Sequence, residues 1–174
     1  MVKIELIHGD ITIQDVDAIV NAAHEGLSGG GGVDGAIHRA AGPTMTGECL
    51  NLYGCEVGQA RITGGYNLPA KYILHTVGPV WRGGTFGEKE DLANCYKSCL
   101  SFAYMQGLKS IAFPCISTGA FCFPKDLACK IAIEAVDVFA FVRIDPSVEL
   151  VRFVCFEQED YNLYMDRMVA LDLF

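Results

Sequence analysis

A short apolar run, Asp17 to Val20, delivers the chain toward four consecutive glycines, Gly29 to Gly32, and then into the stretch Gly35 to Ala41. The run reads as a buried strand, the glycines as a loop whose bare backbone approaches a ligand, and Gly35 to Ala41 as an opening helix. Glycines can turn successive N–H groups toward one point, and a following helix adds the positive end of its dipole, so a diphosphate is favoured there. Asp34 runs against a pure anion site. A carboxylate just beyond such a loop suits a sugar hydroxyl or a water that must lose a proton. The residues alone leave a second reading open, a glycine-rich surface turn with Asp34 as a helix cap.

With 174 residues and 51% hydrophobic composition, the chain reads as one domain spanning 1–174 with a full core. Its formal charge of -8, from 13 Lys and Arg against 21 Asp and Glu, opposes binding to long nucleic acid or to an anionic membrane. A small anion held by backbone N–H groups remains compatible with that charge. The eight cysteines include no C-x-x-C pair, and no signal peptide or membrane span is read, so free thiols in a reducing cytoplasm are expected. No metal and no cofactor is expected.

Along the chain, Val2 to His8 reads as a strand ending at the turn Gly9-Asp10-Ile11-Thr12. Asp10 at that strand mouth accepts from an exocyclic amine or caps its own turn. After the opening helix, Pro43 starts a further helix to about Tyr53; Gln59 to Thr63 and Tyr72 to Val77 read as strands. Trp81 to Gly87 reads as a flexible loop, and Glu88 to Met105 as a helix with one buried face. Ser110 to Pro114 is a strand leading into the loop Ile116 to Pro124. A helix from Lys125 to Phe141, a strand from Leu150 to Cys155 and a helix from about Asp160 to Leu171 complete the series. Alternating strands and helices predict a three-layer α/β/α domain, a mixed sheet flanked by helices, with its ligand beyond the carboxyl ends of the strands.

The segments GDIT (Gly9 to Thr12), DAIVNAA (Asp17 to Ala23), GGGGVDGAIHRAAGP (Gly29 to Pro43), LPAKYILHTVGPVW (Leu68 to Trp81) and SIAFPCISTGAF (Ser110 to Phe121) resemble, in order, those of the macrodomains. The likeness is to the MacroD-type branch of ADP-ribose-binding and ADP-ribose-hydrolysing proteins, and it covers essentially the whole chain. The resemblance implies that Asp10, with the Ile11 backbone, accepts from the adenine amino group, and that Phe156 flanks the adenine, unless it is a core residue. It implies that the loop Gly29, Gly30, Gly31, Gly32, Val33 and the loop Ser117, Thr118, Gly119, Ala120, Phe121 clamp the diphosphate, with Phe121 on the distal ribose. Asn21 and Asp34 resemble the catalytic pair, the amide orienting the ribose and the carboxylate activating water. The implied activity is hydrolysis of O-acetyl-ADP-ribose and release of mono-ADP-ribose from acidic side chains of modified proteins.

Two positions depart from the family pattern. His24 stands where NAAN is usual, as a ribose contact, a second acid/base, or the mark of a reader that binds ADP-ribose without turnover. Cys122 stands where glycine is usual. It reads as a small apolar filler, with a sharper reading in which it approaches His24 as a nucleophile pair or part of a metal site. His8, His38 and His75 read as structural histidines, and Cys95 and Cys99 as one packed helical face.

Overall fold

The computed structural model describes residues 2–142 and 147–173. Strands β1 (Lys3–His8), β2 (Ala18–Ala23), β3 (Ala60–Gly64), β4 (Tyr72–Val77), β5 (Ser110–Phe113) and β6 (Leu150–Cys155) alternate with helices. The helices are α1 (Gly32–Ala41), α2 (Pro43–Leu50), α3 (Glu88–Met105), α4 (Lys125–Val142) and α5 (Gln158–Ala170). The sheet order is β1-β6-β5-β2-β4-β3, parallel throughout except for β3, which pairs antiparallel with β4 at the edge. A parallel strand covered on both faces is apolar at successive positions, and Ala18, Ile19 and Val20 are all fully buried.

The period of two along each strand divides the core. Ala18, Val20 and Leu74 pack into the cluster with α3, α4 and α5, whereas Ile19, Ala23, Ile73 and Val77 pack with Ile37 of α1 and Met45 of α2. The result is the expected three-layer α/β/α arrangement. Asn21, two residues after Ile19, and His75, two after Ile73, therefore point to the α1/α2 side. They are paired in register across β2 and β4.

Because β1, β6, β5, β2 and β4 run parallel, the chain leaves them all at one end of the sheet, and their following loops meet there. Most boundaries fall within one or two residues of the sequence reading, and three larger differences stand out. β2 runs on to Ala23, so Asn21 is a strand residue rather than a loop residue, and α1 starts at Gly32, three residues early. α2 stops at Leu50, short of Tyr53, where Tyr53 and Gly54 both take positive φ and turn the chain. No described helix is long and apolar enough to cross a membrane.

Candidate active site

Two cavities lie end to end over the strand ends. One, of about 390 Å³, is lined by Asp10, Ile11, Thr118 and the 80% exposed ring of Phe156; the other, of about 440 Å³, by Gly30, Gly31, Asp34, Ser117, Ala120 and Phe121. Gly32, Val33, Cys115 and Gly119 belong to both walls, so the two form one cleft. Asp10 Oδ1 accepts from the N–H and hydroxyl of Thr12 (2.8 and 2.7 Å), which caps the turn Ile11–Ile13 and fixes the carboxylate at the cavity edge. Phe156, its alternative core reading excluded by its exposure, offers a flat face beside it.

The middle of the cleft is walled by a helix start, with Arg39 of the same helix on the first cavity. α1 opens on Gly31 and Gly32, so its unpaired N–H groups and dipole face the shared wall. Gly35 lets the helix approach the loop, since a Cβ there would lie 2.4 Å from the Gly30 carbonyl oxygen. Among the described residues no Lys or Arg lines the second cavity, whereas Arg39 and Lys125 line the first. Lys125 of the first is engaged by Glu157, Glu159 and Asp160, and the Glu157 hydrogen bond and its neighbours hold the ammonium above its usual range. Across the cleft, Ser117 takes a left-handed conformation (φ 65°), its carbonyl accepts from Phe123 N–H (2.9 Å), and its hydroxyl is buried with no protein partner among the described residues. Strain and an unpaired hydroxyl in one residue mark a ligand-facing position.

Asn21 and Asp34 are brought together. Asn21 Nδ2 donates to Asp34 Oδ1 at 2.8 Å and to His75 Nδ1 at 3.1 Å, and both residues are buried. Burial, aided by His38, pushes His75 down from 6.5 to about 3, so its ring is neutral. With Nδ1 accepting, the proton sits on Nε2 and is donated to Thr63 Oγ1 (2.8 Å), whose hydroxyl passes on to the Gly64 carbonyl (3.1 Å). His38 Nε2 lies 3.3 Å from Asp34 Oδ1, close enough for an ion pair but not aligned as a hydrogen bond, while its Nδ1 meets Thr46 Oγ1 at 2.8 Å. Asp34 Oδ1 is thus held from behind. Oδ2 faces Gly30, where a Cβ would come within 3.2 Å, at the second cavity.

The sequence profile of the Macro domain matches residues 20–132. The chain belongs to the macrodomain family. It is 51% identical over 167 residues to ADP-ribose glycohydrolase MACROD2 of Homo sapiens, covering 95% of this chain but 39% of that protein. It is also 53% identical over 169 residues to the Macro domain-containing protein mll7730 of Mesorhizobium japonicum, covering 97% and 95%. The Oceanobacillus iheyensis macrodomain with ADP superimposes with a TM-score of 0.89 at 40% identity, over 97% of this chain and 91% of that one. The Trypanosoma brucei macrodomain in complex with ADP-ribose gives 0.89 at 43% identity, over 95% and 68%.

In this macrodomain His24 is a clasp on the glycine loop. Its Nδ1 accepts from Gly26 N–H (3.0 Å), which places the proton on Nε2, 2.8 Å from the Gly29 carbonyl and 3.1 Å from Ser28 Oγ. An acceptor two residues before the N–H it binds is the geometry of an Asx turn. An asparagine amide oxygen could accept the same N–H at this position. Gly29, which lines neither cavity, contributes through this bond. Cys122 is exposed, with its thiol on the Ala120 carbonyl (3.4 Å), and no group of three or more His, Cys, Asp or Glu among the described residues is placed to hold a metal. The closer His24–Cys122 partnership gains no support. The sequence reading left out His38 and His75 as parts of the site; the i, i+4 spacing of Asp34 and His38 on one helix was the available signal. Gly78 was also missed: it lines the second cavity, and a Cβ there would fall 2.1 Å from Ser117 Oγ.

Proposed function

We propose that this macrodomain binds ADP-ribose and hydrolyses its esters, releasing mono-ADP-ribose from acidic side chains of modified proteins and the acetyl group from O-acetyl-ADP-ribose. The observation that carries the reading is Asp34, held by Asn21 through one oxygen and open to the cleft through the other. Adenosine takes the first cavity, its amino group toward Asp10 and its ring beside Phe156. The diphosphate lies between Gly29 to Val33 and Ser117 to Phe121, where N–H groups meet its charge. The distal ribose then sits at Phe121 and Asp34. Asp34 Oδ2 takes a proton from water as the water attacks the ester, giving a carboxylate and a free ribose hydroxyl. Asn21 keeps the carboxylate in place, and His75 and His38 keep Asn21 and Asp34 in place from the buried side. An ester needs little leaving-group assistance, so one positioned base and a fixed diphosphate suffice.

A second reading, a reader without turnover, is favoured by His24, because both ring nitrogens are spent on its own loop. A time course of ADP-ribose release from an ADP-ribosylglutamate peptide separates the two. Wild type is compared with Asp34→Ala and His24→Asn, with calorimetric binding of free ADP-ribose alongside. Asp34→Ala is expected to lower kcat by on the order of 100-fold or more while changing affinity only a few-fold. Tight binding with no release by wild type establishes the reader.

A further inference from the structure

The cleft continues past the predicted ribose position. A third cavity, of about 640 Å³, shares His24, Gly78 and Phe121 with the second and contains none of the adenosine or glycine-loop residues. One wall is apolar, from Val57, Val77, Pro79 and Val80. The other is the Trp81 to Gly87 loop, whose glycines suggest flexibility but whose backbone is pinned. Glu88, 2% exposed, accepts the N–H groups of Arg82, Gly84 and Phe86 at 2.9, 3.1 and 2.8 Å. Trp81 N–H donates to the Phe121 carbonyl (2.9 Å), and its indole packs on Phe123 with ring centres 4.7 Å apart. The loop is therefore a preformed wall, tied directly to the one that covers the ribose.

We propose that this third cavity is the subsite for the acyl side of the substrate: the modified Glu or Asp side chain with its flanking peptide, preferentially a peptide with basic residues beside the modified one. The inference rests on the ester-hydrolase reading, which puts the scissile bond at the boundary between the second and third cavities. The apolar wall accommodates the methylene stem of the modified side chain. Arg82 is the only Lys or Arg lining the cavity and has no ion-pair partner among the described residues, so it faces the ester oxygen and the carboxylate that hydrolysis leaves. Glu88 is consumed by the loop. Glu25 and Asp91 have no ion-pair partner among the described residues, and two such carboxylates on this rim attract lysine or arginine and repel acidic flanks.

The test uses calorimetry in the Asp34→Ala background, where turnover is removed, with three probes. These are free ADP-ribose, an ADP-ribosylglutamate peptide with lysine on both sides, and the same peptide with glutamate on both sides. The lysine-flanked peptide is expected to bind about fivefold more tightly than the glutamate-flanked one at low salt, a ratio that shrinks as salt is raised. Glu25→Lys combined with Asp91→Lys should invert the preference. Arg82→Glu should weaken both peptides by about fivefold and leave free ADP-ribose within about twofold. Equal affinities for the two peptides, or a loss on free ADP-ribose as large as on the peptides, overturns the subsite. Failure of free ADP-ribose to bind overturns the parent reading and this one with it.

Discussion

Gly35→Ala should destabilise the fold and loosen the anion cradle together, although alanine is the better helix former. In the interior of α1 the exchange by itself gains about 1 kcal/mol. At this position, however, the new Cβ meets the Gly30 carbonyl oxygen at 2.4 Å, and ordinary contact begins at 3.4 Å. Both groups are anchored in backbone, so the loop and helix must separate by about 1 Å, at an overpacking cost near the upper end of the usual 1–3 kcal/mol. The net expectation is a loss of about 1–2 kcal/mol and a melting temperature lower by about 4 °C for a chain of this size. A retreat of that size also takes N–H groups out of hydrogen-bond reach of a bound diphosphate, so ADP-ribose affinity should fall at least about tenfold. Gly47→Ala is the matched control: it lies within α2, and nothing stands within 4 Å of its Cβ position. That change should raise stability by about 1 kcal/mol and leave affinity alone. Urea unfolding and ADP-ribose calorimetry on both variants decide the matter, and stabilisation by both substitutions would refute the close-approach argument.

Cys122 sits at φ 57°, where a side chain is strained, so Cys122→Gly should stabilise by about 1 kcal/mol, read as a rise in melting temperature. For His75, the unfolded chain takes a proton below its ordinary value of 6.5, while the native ring does so only near 3. Its contribution is therefore intact above 6.5 and is lost as pH falls from there toward 3, by up to about 1.4 kcal/mol per unit. Denaturant unfolding from pH 7 to 4 should show a flatter profile in His75→Gln, and an NMR titration of His75 near 6 would contradict the assignment. His24→Ala removes both bonds that fold the glycine loop and should raise the Kd for ADP-ribose about tenfold, whereas His24→Asn, which can still accept from Gly26 N–H, should stay within about threefold. Calorimetry on the two variants compares them directly.

Much of the molecule is legible in its residues, for local reasons. The strand, glycine run and helix of residues 17–41 declare a strand-loop-helix unit, since bare backbone followed by a helix N-terminus has few other uses. The apolar period of Glu88 to Met105 and the runs at Tyr72 to Val77 and Leu150 to Cys155 give their elements with the observed bounds. Helix ends were less legible: α1 begins at Gly32 after an extended Gly31 that has no side chain to cap the first turn, which no apolar pattern reports. His38 and His75 look alike in sequence, two histidines in apolar surroundings. Their part in the site depends on register across β2 and β4 and on which face of α1 meets the sheet. The loop at Trp81 looks flexible by composition, and only Glu88 folded beneath it shows otherwise.

Sequence by itself determined the layer architecture and the strand-end location of the cleft, because these follow from hydrophobic period, glycine placement and residue type, all properties of neighbours along the chain. Tertiary structure alone decided the hydrogen bond from Asn21 to Asp34, the ring of buried partners behind it, the role of His24 as a clasp, and the opening of the cleft into a third cavity beside Arg82. Apart from the His24 clasp, which closes over five residues, those depend on the approach of segments 13 or more residues apart, and the distances between them are set by packing.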